Sequence, residues 1–193
     1  FYHSGQVCVS VQRVYVLGEQ KEEIASKLGE YADNLTVGNA INEKTECGPL
    51  IRNIEVDRVE SWVSEAQIGG AKVIAGGRRI SNSCYAPTVL LNPPKEAAVS
   101  KNEIFGPVIS LYESENLSEA ISRCNSLPFA FQASIFSNDY SNIIQFFNHV
   151  DASAVMVNDH TAFRVDWMPF AGRNESGYGI GGIPYTMEDM TKI

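Results

Sequence analysis

Three side chains in this chain are suited to covalent or binding chemistry: the thiol of Cys8, the carboxylate of Glu103 and the ring of Phe105. Cys8 follows the glycine-bearing turn Ser4-Gly5-Gln6 and precedes the β-branched run that begins at Val11. A thiol placed where a loop enters a strand keeps a fixed backbone while staying partly exposed, which suits a nucleophile. By local composition alone, the same cysteine reads as a buried, inert residue. An ordinary thiol titrates at about 8.5, so a nucleophile there needs something that favours the thiolate. His3 and Arg13 are near in sequence, but neither spacing establishes contact, and both read as structural. Glu103 can accept a pair of hydroxyls, and Phe105 can pack on a flat ring; taken alone, Glu103 is a surface acid before the Gly106-Pro107 turn. A thiol hydrolase would need a histidine base with an orienting acid or amide, and neither His149 nor His160 has such a partner pattern.

Longer patterns surround these residues. Phe1-x-x-x-Gly5-Gln6-x-Cys8-x-x-x-x-Arg13 resembles the cysteine signature of the NAD(P)-dependent aldehyde dehydrogenase superfamily. Asn102-Glu103-Ile104-Phe105-Gly106-Pro107-Val108 and Met168-Pro169-Phe170-Ala171-Gly172-Arg173-Asn174-Glu175-Ser176-Gly177 resemble that family's later motifs, in the same order. Thr45-Glu46-Cys47-Gly48-Pro49-Leu50 resembles a further Thr-x-x-Gly-Pro-Leu stretch. The resemblance implies that Cys8 adds to an aldehyde to give a thiohemiacetal. Hydride then passes to NAD or NADP, and water hydrolyses the thioester to a carboxylic acid with the help of a general base. It implies that the Cys8 N–H, with an Asn side chain from elsewhere, binds the oxyanion. It assigns Glu103 to the cofactor ribose and Phe105 to the nicotinamide.

The same resemblance puts Asn158 and Phe170 in a substrate tunnel, although Phe170 equally reads as a core aromatic. Phe163-Arg164-Val165-Asp166 and Tyr185-Thr186-Met187-Glu188-Asp189-Met190-Thr191 resemble the branch near lactaldehyde and phosphorylated-aldehyde dehydrogenases. Arg164 could then hold an anionic substrate group, since a guanidinium suits carboxylate or phosphate; a salt bridge with Asp166 or another acid is the structural reading. Ala171 replaces the first glycine of the usual pair, and Asn174 stands where relatives often carry lysine. Gly177, Gly179, Gly181 and Gly182 read as turn glycines and not as a phosphate cradle.

A complete family member carries a dinucleotide-binding domain before the cysteine, with the catalytic glutamate and the oxyanion Asn. Neither motif occurs here, nor does Gly-x-Gly-x-x-Gly after a strand, and the chain opens inside its first motif. Residues 1–193 are therefore expected to be one truncated catalytic domain whose N-terminal dinucleotide-binding partner is absent, turning over little or no aldehyde alone. The resemblance also implies a homo-oligomer at full length. A noncatalytic structural or binding fragment with the same fold is the alternative.

Fifteen basic and twenty-three acidic residues give a net charge of −8, which argues against nucleic-acid or anionic-membrane partners. No apolar run reaches the roughly 20 residues of a bilayer span. The four cysteines, Cys8, Cys47, Cys84 and Cys124, have no metal-ligand spacing, so no metal is expected. Reduced thiols and a cytoplasmic setting are expected.

Alternation of strand and helix patterns predicts an α/β fold, an open, mostly parallel sheet covered by helices. Strands are predicted over 11–17, 71–75, 86–91, 108–112, 131–136 and 152–158, and helices over 22–35, 54–68, 139–149 and a stretch starting after Asn116. In the first helix, Ile24, Leu28, Tyr31 and Leu35 are expected to face the core, as is Cys124 in the helix after Asn116. From Thr161 on, no periodic element is predicted.

Overall fold

In the computed structural model, residues 1–191 are described. They form two compact units, Phe1–Asn116 and a second from Leu117 onward. One domain was expected from the sequence because no Gly/Pro-rich linker exists; the division falls between Asn116 and Leu117, directly at the start of a helix.

The first unit is built on a four-stranded sheet. β1 (Arg13–Leu17), β2 (Lys72–Ala75), β3 (Thr88–Leu91) and β4 (Val108–Ser114) lie in the order β1-β4-β3-β2. β1 pairs parallel with β4, and β4 parallel with β3, whereas the edge strand β2 runs antiparallel to β3. The sheet is thus mixed, with its central strands parallel as expected. Both faces are covered, and strand alternation shows how. Leu90 and Val108 pack with Val56, Val59 and Val63 of α2 (Asn53–Ile68). Val89, Leu91, Ile109 and Leu111 pack with α1 (Lys21–Asn34) on the other side. Side chains two apart share a face of a strand, so an unbroken apolar run serves two helices at once.

α1 meets the sheet in part by the expected face, since Ile24 and Leu28 pack against the core. Ala25, Gly29 and Ala32 are buried, whereas Tyr31 is 74% exposed. A Cβ on Gly29 would stand 2.8 Å from Ile74 Cγ2, so small residues are what let this helix approach the sheet. A single helical turn, α3 (Ala98–Lys101), precedes the stretch Asn102–Pro107.

The second unit contains α4 (Leu117–Cys124), β5 (Phe129–Ala130), β6 (Gln132–Ile135), α5 (Tyr140–His149), β7 (Ala154–Val157), β8 (Arg173–Asn174) and α6 (Ile183–Met190). β6 pairs parallel with β7, and β5 pairs antiparallel with β8. Its core centres on Ile121, Ile135 and Phe146. Cys124 is half-buried and not fully in the core as expected. α5 is capped by Asp139, whose carboxylate accepts the Ser141 N–H. α6 lies where no element was predicted. Among the described residues, no helix is long and apolar enough to cross a membrane.

Candidate active site

The segment before Cys8 is an unusual piece of backbone. His3, Ser4 and Gly5 are consecutive left-handed residues, with φ of 51°, 54° and 73°. For residues with a Cβ this costs about 1 kcal/mol each, so surrounding contacts must hold the loop. Ser4 is buried, and its hydroxyl donates to Gly48 O at 3.0 Å. Gln6 acts as a two-point tether: its Nε2 donates to Pro49 O at 3.1 Å, and its Oε1 accepts the Ile51 N–H at 2.8 Å. The Ser10 hydroxyl donates to Tyr2 O at 2.8 Å. Cys8 itself lies in the turn closed by the Ser10 N–H to Val7 O bond of 2.9 Å, and it is exposed. Its own N–H has no acceptor among the described residues. The chain therefore presents a thiol and an adjacent N–H on a loop fixed from below.

Glu103 and Phe105 lie on a second loop. Between them Ile104 is buried at 2% exposure, while Glu103 is exposed and Phe105 is 40% exposed. The buried isoleucine anchors the loop and turns its two neighbours outward. Phe105 takes a left-handed φ of 44°. The bends on either side are set by the Val108 N–H to Gly106 O bond (2.8 Å) and the Thr88 N–H to Pro107 O bond (2.8 Å). Partial desolvation pushes the Glu103 carboxyl above the ordinary carboxylate range, even though much of the residue faces solvent.

These two loops share one end of the sheet. β1 and β4 are parallel neighbours, so the residues leading into them, Cys8–Gln12 and Glu103–Pro107, emerge side by side. Gly5 sits so close to the other loop that an added Cβ would be 1.8 Å from Gly106 O. Gln12 Oε1 accepts the Ile104 N–H at 3.1 Å, and Gln12 O accepts the Ser110 N–H at 2.8 Å. The nucleophile candidate and the carboxylate–aromatic pair, 95 residues apart in sequence from Cys8 to Glu103, are thereby carried on adjoining loops.

The second unit treats its candidates differently. The Arg164 guanidinium lies 4.4 Å from the centroid of the Phe170 ring, and Phe170 meets Phe131 edge to face at 5.0 Å. No ion pair between Arg164 and Asp166, or any other acid, exists among the described residues. Asn158 is elsewhere: it follows β7, at the end of the β6–β7 pair opposite to Phe131. Its amide is spent on Ser137, with Oδ1 accepting the N–H at 2.9 Å and Nδ2 donating to the carbonyl at 3.0 Å. This contact makes Asn158 a clasp at the strand end. Asn174, at the position expected for lysine, donates to Asp151 at 2.6 Å, and Arg173 donates to the same carboxylate at 2.5 Å. These hydrogen bonds hold the Asp151 carboxyl below its ordinary range.

None of the four cysteines is in a disulfide. Cys47 is fully buried beneath the loop, its thiol 3.5 Å from Ser4 Oγ, and burial raises its pKa. A thiol in that state is a poor nucleophile, which leaves Cys8 as the exposed sulfur. Ser4, Gln6 and Gln12 were not singled out from the sequence as site-building residues. Gln6 lies inside the quoted cysteine motif, but nothing in that pattern states that its amide reaches a segment some 43 residues away.

With this geometry in place, comparison with known proteins is informative. The family model described as "Aldehyde dehydrogenase family" matches residues 1–193. A 3-sulfolactaldehyde dehydrogenase of Priestia aryabhattai is 39% identical over 192 residues, covering 100% of this chain and 40% of that protein. A lactaldehyde dehydrogenase of Methanococcus vannielii is 38% identical, covering 98% of this chain and 40% of that protein. Aldehyde dehydrogenase 21 from Physcomitrella patens, solved with the reaction product succinate, superimposes with a TM-score of 0.95 at 36% identity over 100% of this chain and 40% of that one. A glyceraldehyde-3-phosphate dehydrogenase from Methanocaldococcus jannaschii, complexed with NADP, gives 0.93 at 33% identity, over 100% of this chain and 41% of that one. The chain spans about 40% of the length of these relatives.

Proposed function

Because this chain belongs to the aldehyde dehydrogenase family, we propose that it supplies the nucleophile and part of the cofactor site of an NAD(P)-dependent oxidation of an aldehyde to a carboxylic acid. The observation that carries most weight is the joining of the Cys8 loop to the Glu103–Phe105 loop, through Gly5 against Gly106 and Gln12 to Ile104.

Cys8, as thiolate, adds to the aldehyde carbon. The C–S bond forms as the carbonyl π electrons move onto oxygen, and the Cys8 N–H faces the oxyanion. Collapse of this thiohemiacetal expels hydride from carbon and leaves a thioester on Cys8. Water then adds to the thioester carbon while a general base takes one of its protons, the C–S bond breaks, and the carboxylic acid departs with the thiolate regenerated. The nicotinamide, when bound, supplies the hydride acceptor. An exposed carboxylate and a half-exposed ring on either side of a buried anchor fit such a group, Glu103 accepting ribose hydroxyls and Phe105 packing near the nicotinamide. Relatives of known structure carry NADP or NAD, so either remains within this proposal. In this proposal the general base, the oxyanion Asn and the dinucleotide-binding portion come from sequence outside this chain, which spans about 40% of such a relative.

Arg164, stacked on Phe170 and without an acid partner among the described residues, is the proposed contact for an anionic group on a small aldehyde. A cytoplasmic, homo-oligomeric complete enzyme completes the proposal; four cysteines outside any disulfide fit a reducing compartment.

Replacing Cys8 by Ser in the complete enzyme tests this directly. Aldehyde-dependent NAD(P)H formation should fall by at least about 10³-fold with cofactor binding retained; near-normal oxidation would remove Cys8 from the mechanism. Against the alternative of a noncatalytic fragment, residues 1–193 mixed with the missing portion in trans should regain some NAD(P) reduction, and none at all would favour that alternative.

A further inference from the structure

Between the two loops of the site there is one side-chain hydrogen bond that neither loop's own role explains. Gln12 opens β1. Its backbone carbonyl starts the ladder to β4 by accepting the Ser110 N–H at 2.8 Å. Its side-chain Oε1 accepts the Ile104 N–H at 3.1 Å. Ile104 is the residue whose burial sends Glu103 and Phe105 outward. Gln12 therefore grips the hinge point of the second loop while its own backbone is fixed four residues beyond Cys8.

Three features make this bond consequential. Phe105 is in a left-handed conformation, which the local chain does not favour by itself. The Ile104 N–H points inward from a part-buried position, so losing its acceptor leaves a donor unsatisfied. The close approach of Gly5 to Gly106 is a steric contact and sets distance without setting orientation.

We propose that Gln12 is a positioning residue for the cofactor: its amide oxygen fixes the orientation of Glu103 and Phe105 relative to the Cys8 loop, without touching substrate or cofactor itself. This rests on the function proposed above for Cys8, Glu103 and Phe105. Gln12 acts through the Ile104 N–H, so its removal loosens the ribose and nicotinamide contacts more than it alters the thiol.

The experiment compares Gln12→Met, which keeps length and removes the acceptor, with Gln12→Glu, which keeps an acceptor oxygen, in the complete enzyme. Three quantities are read: KM for NAD or NADP against kcat, the rate of Cys8 alkylation by iodoacetamide without cofactor, and hydrogen exchange at the Ile104 amide. For Gln12→Met, KM for the cofactor should rise by about 5- to 100-fold, the scale of one buried donor left unpaired. Alkylation should change less than about threefold, and Ile104 exchange should accelerate. Gln12→Glu should recover most of both the KM and the exchange protection. An unchanged cofactor KM in Gln12→Met, or equal damage in the two variants, overturns the proposal. If the wild-type enzyme binds neither nucleotide, the proposed function fails on its own. Exchange at Ile104 still reads the tether in that case, and an amide equally protected in Gln12→Met would overturn it.

Discussion

The two units of this chain hold their candidate residues by different physical means. In Phe1–Asn116, side-chain hydrogen bonds from Ser4, Gln6 and Gln12 tie the site loops to an extensive apolar core, with Ile104 buried in it, Gly5 close against Gly106 and a sheet covered on both faces. In the unit from Leu117 onward, polar clasps carry more of the load. Asn125 bridges His149 O and the Asp151 N–H, Asn158 bridges both backbone groups of Ser137, and Asp151 takes Arg173 and Asn174. The small core of Ile121, Ile135 and Phe146 coexists with exposed Phe136, Tyr140, Phe147, Trp167 and Tyr178. A packed core specifies one geometry and resists solvent. A set of clasps specifies local turns but leaves apolar side chains uncovered. The nucleophile and cofactor candidates sit in the first kind of structure, and the substrate candidates Arg164 and Phe170 in the second.

Truncation at the two cores should separate the units most strongly. Leu90→Ala, at a fully buried site between α2 and the sheet, should cost about 3–4 kcal/mol, whereas Ile135→Ala should cost about 2 kcal/mol, because its thinner surroundings can relax. Urea unfolding of the complete enzyme gives the totals, and exchange mass spectrometry assigns each loss to its unit. Equal costs would mean the second unit is as tightly packed as the first.

A smaller effect should follow from the clasp at Asp151. Asp151→Ala should cost about 1 kcal/mol and raise exchange in β8 and β5 while leaving β3 and β4 protected. The folded-state pKa of Asp151 is lowered, so its contribution is complete above the ordinary aspartate value and is lost as pH falls through the lowered one. Acid should therefore loosen β5 and β8 in the wild type but not further in Asp151→Ala.

The smallest effect has the opposite sign. Glu103 has a raised folded-state pKa, so the folded protein binds a proton to higher pH than the unfolded chain. Stability then falls as pH climbs from the ordinary glutamate value to the raised one, and it stays lower above that. Glu103→Gln should accordingly raise Tm slightly at neutral pH, by about 1–2 °C, while weakening cofactor binding. A lower Tm in this variant would show that the carboxylate is held for structure and not kept at a cost for binding.

Legibility from sequence follows the same division. In the first unit, β1 was expected at 11–17 and forms at Arg13–Leu17, and α2 was expected at 54–68 and forms at Asn53–Ile68, because apolar periodicity reports burial. α1 was legible as an element and in part of its buried face: Ile24 and Leu28 pack against the core as expected, whereas Tyr31 is exposed and close helix–sheet contact brings in Ala25, Gly29 and Ala32. In the second unit, α6 escaped notice. Pro184 in its first turn after Gly182 is a start signal, yet Ile183, Met187 and Met190 are all exposed, so glycine content dominated the reading. β5 and β8, two residues each, are too short for any pattern. At the site, the motif residues Cys8, Glu103 and Phe105 were legible by type. The left-handed His3-Ser4-Gly5 path and the reach of Gln6 and Gln12 were not, since only Gly5 signals a positive φ and long-range amide tethers leave no periodic trace.

The central claim is that Cys8 forms the covalent bond to carbon. Rapid acid quenching of the complete enzyme during turnover of an aldehyde with NAD or NADP, followed by peptide mass spectrometry, measures that bond directly. The account predicts an acyl adduct on the peptide containing Cys8 and on none containing Cys47, Cys84 or Cys124. Steady turnover with the acyl group on another cysteine, or with Cys8 never modified, would contradict it.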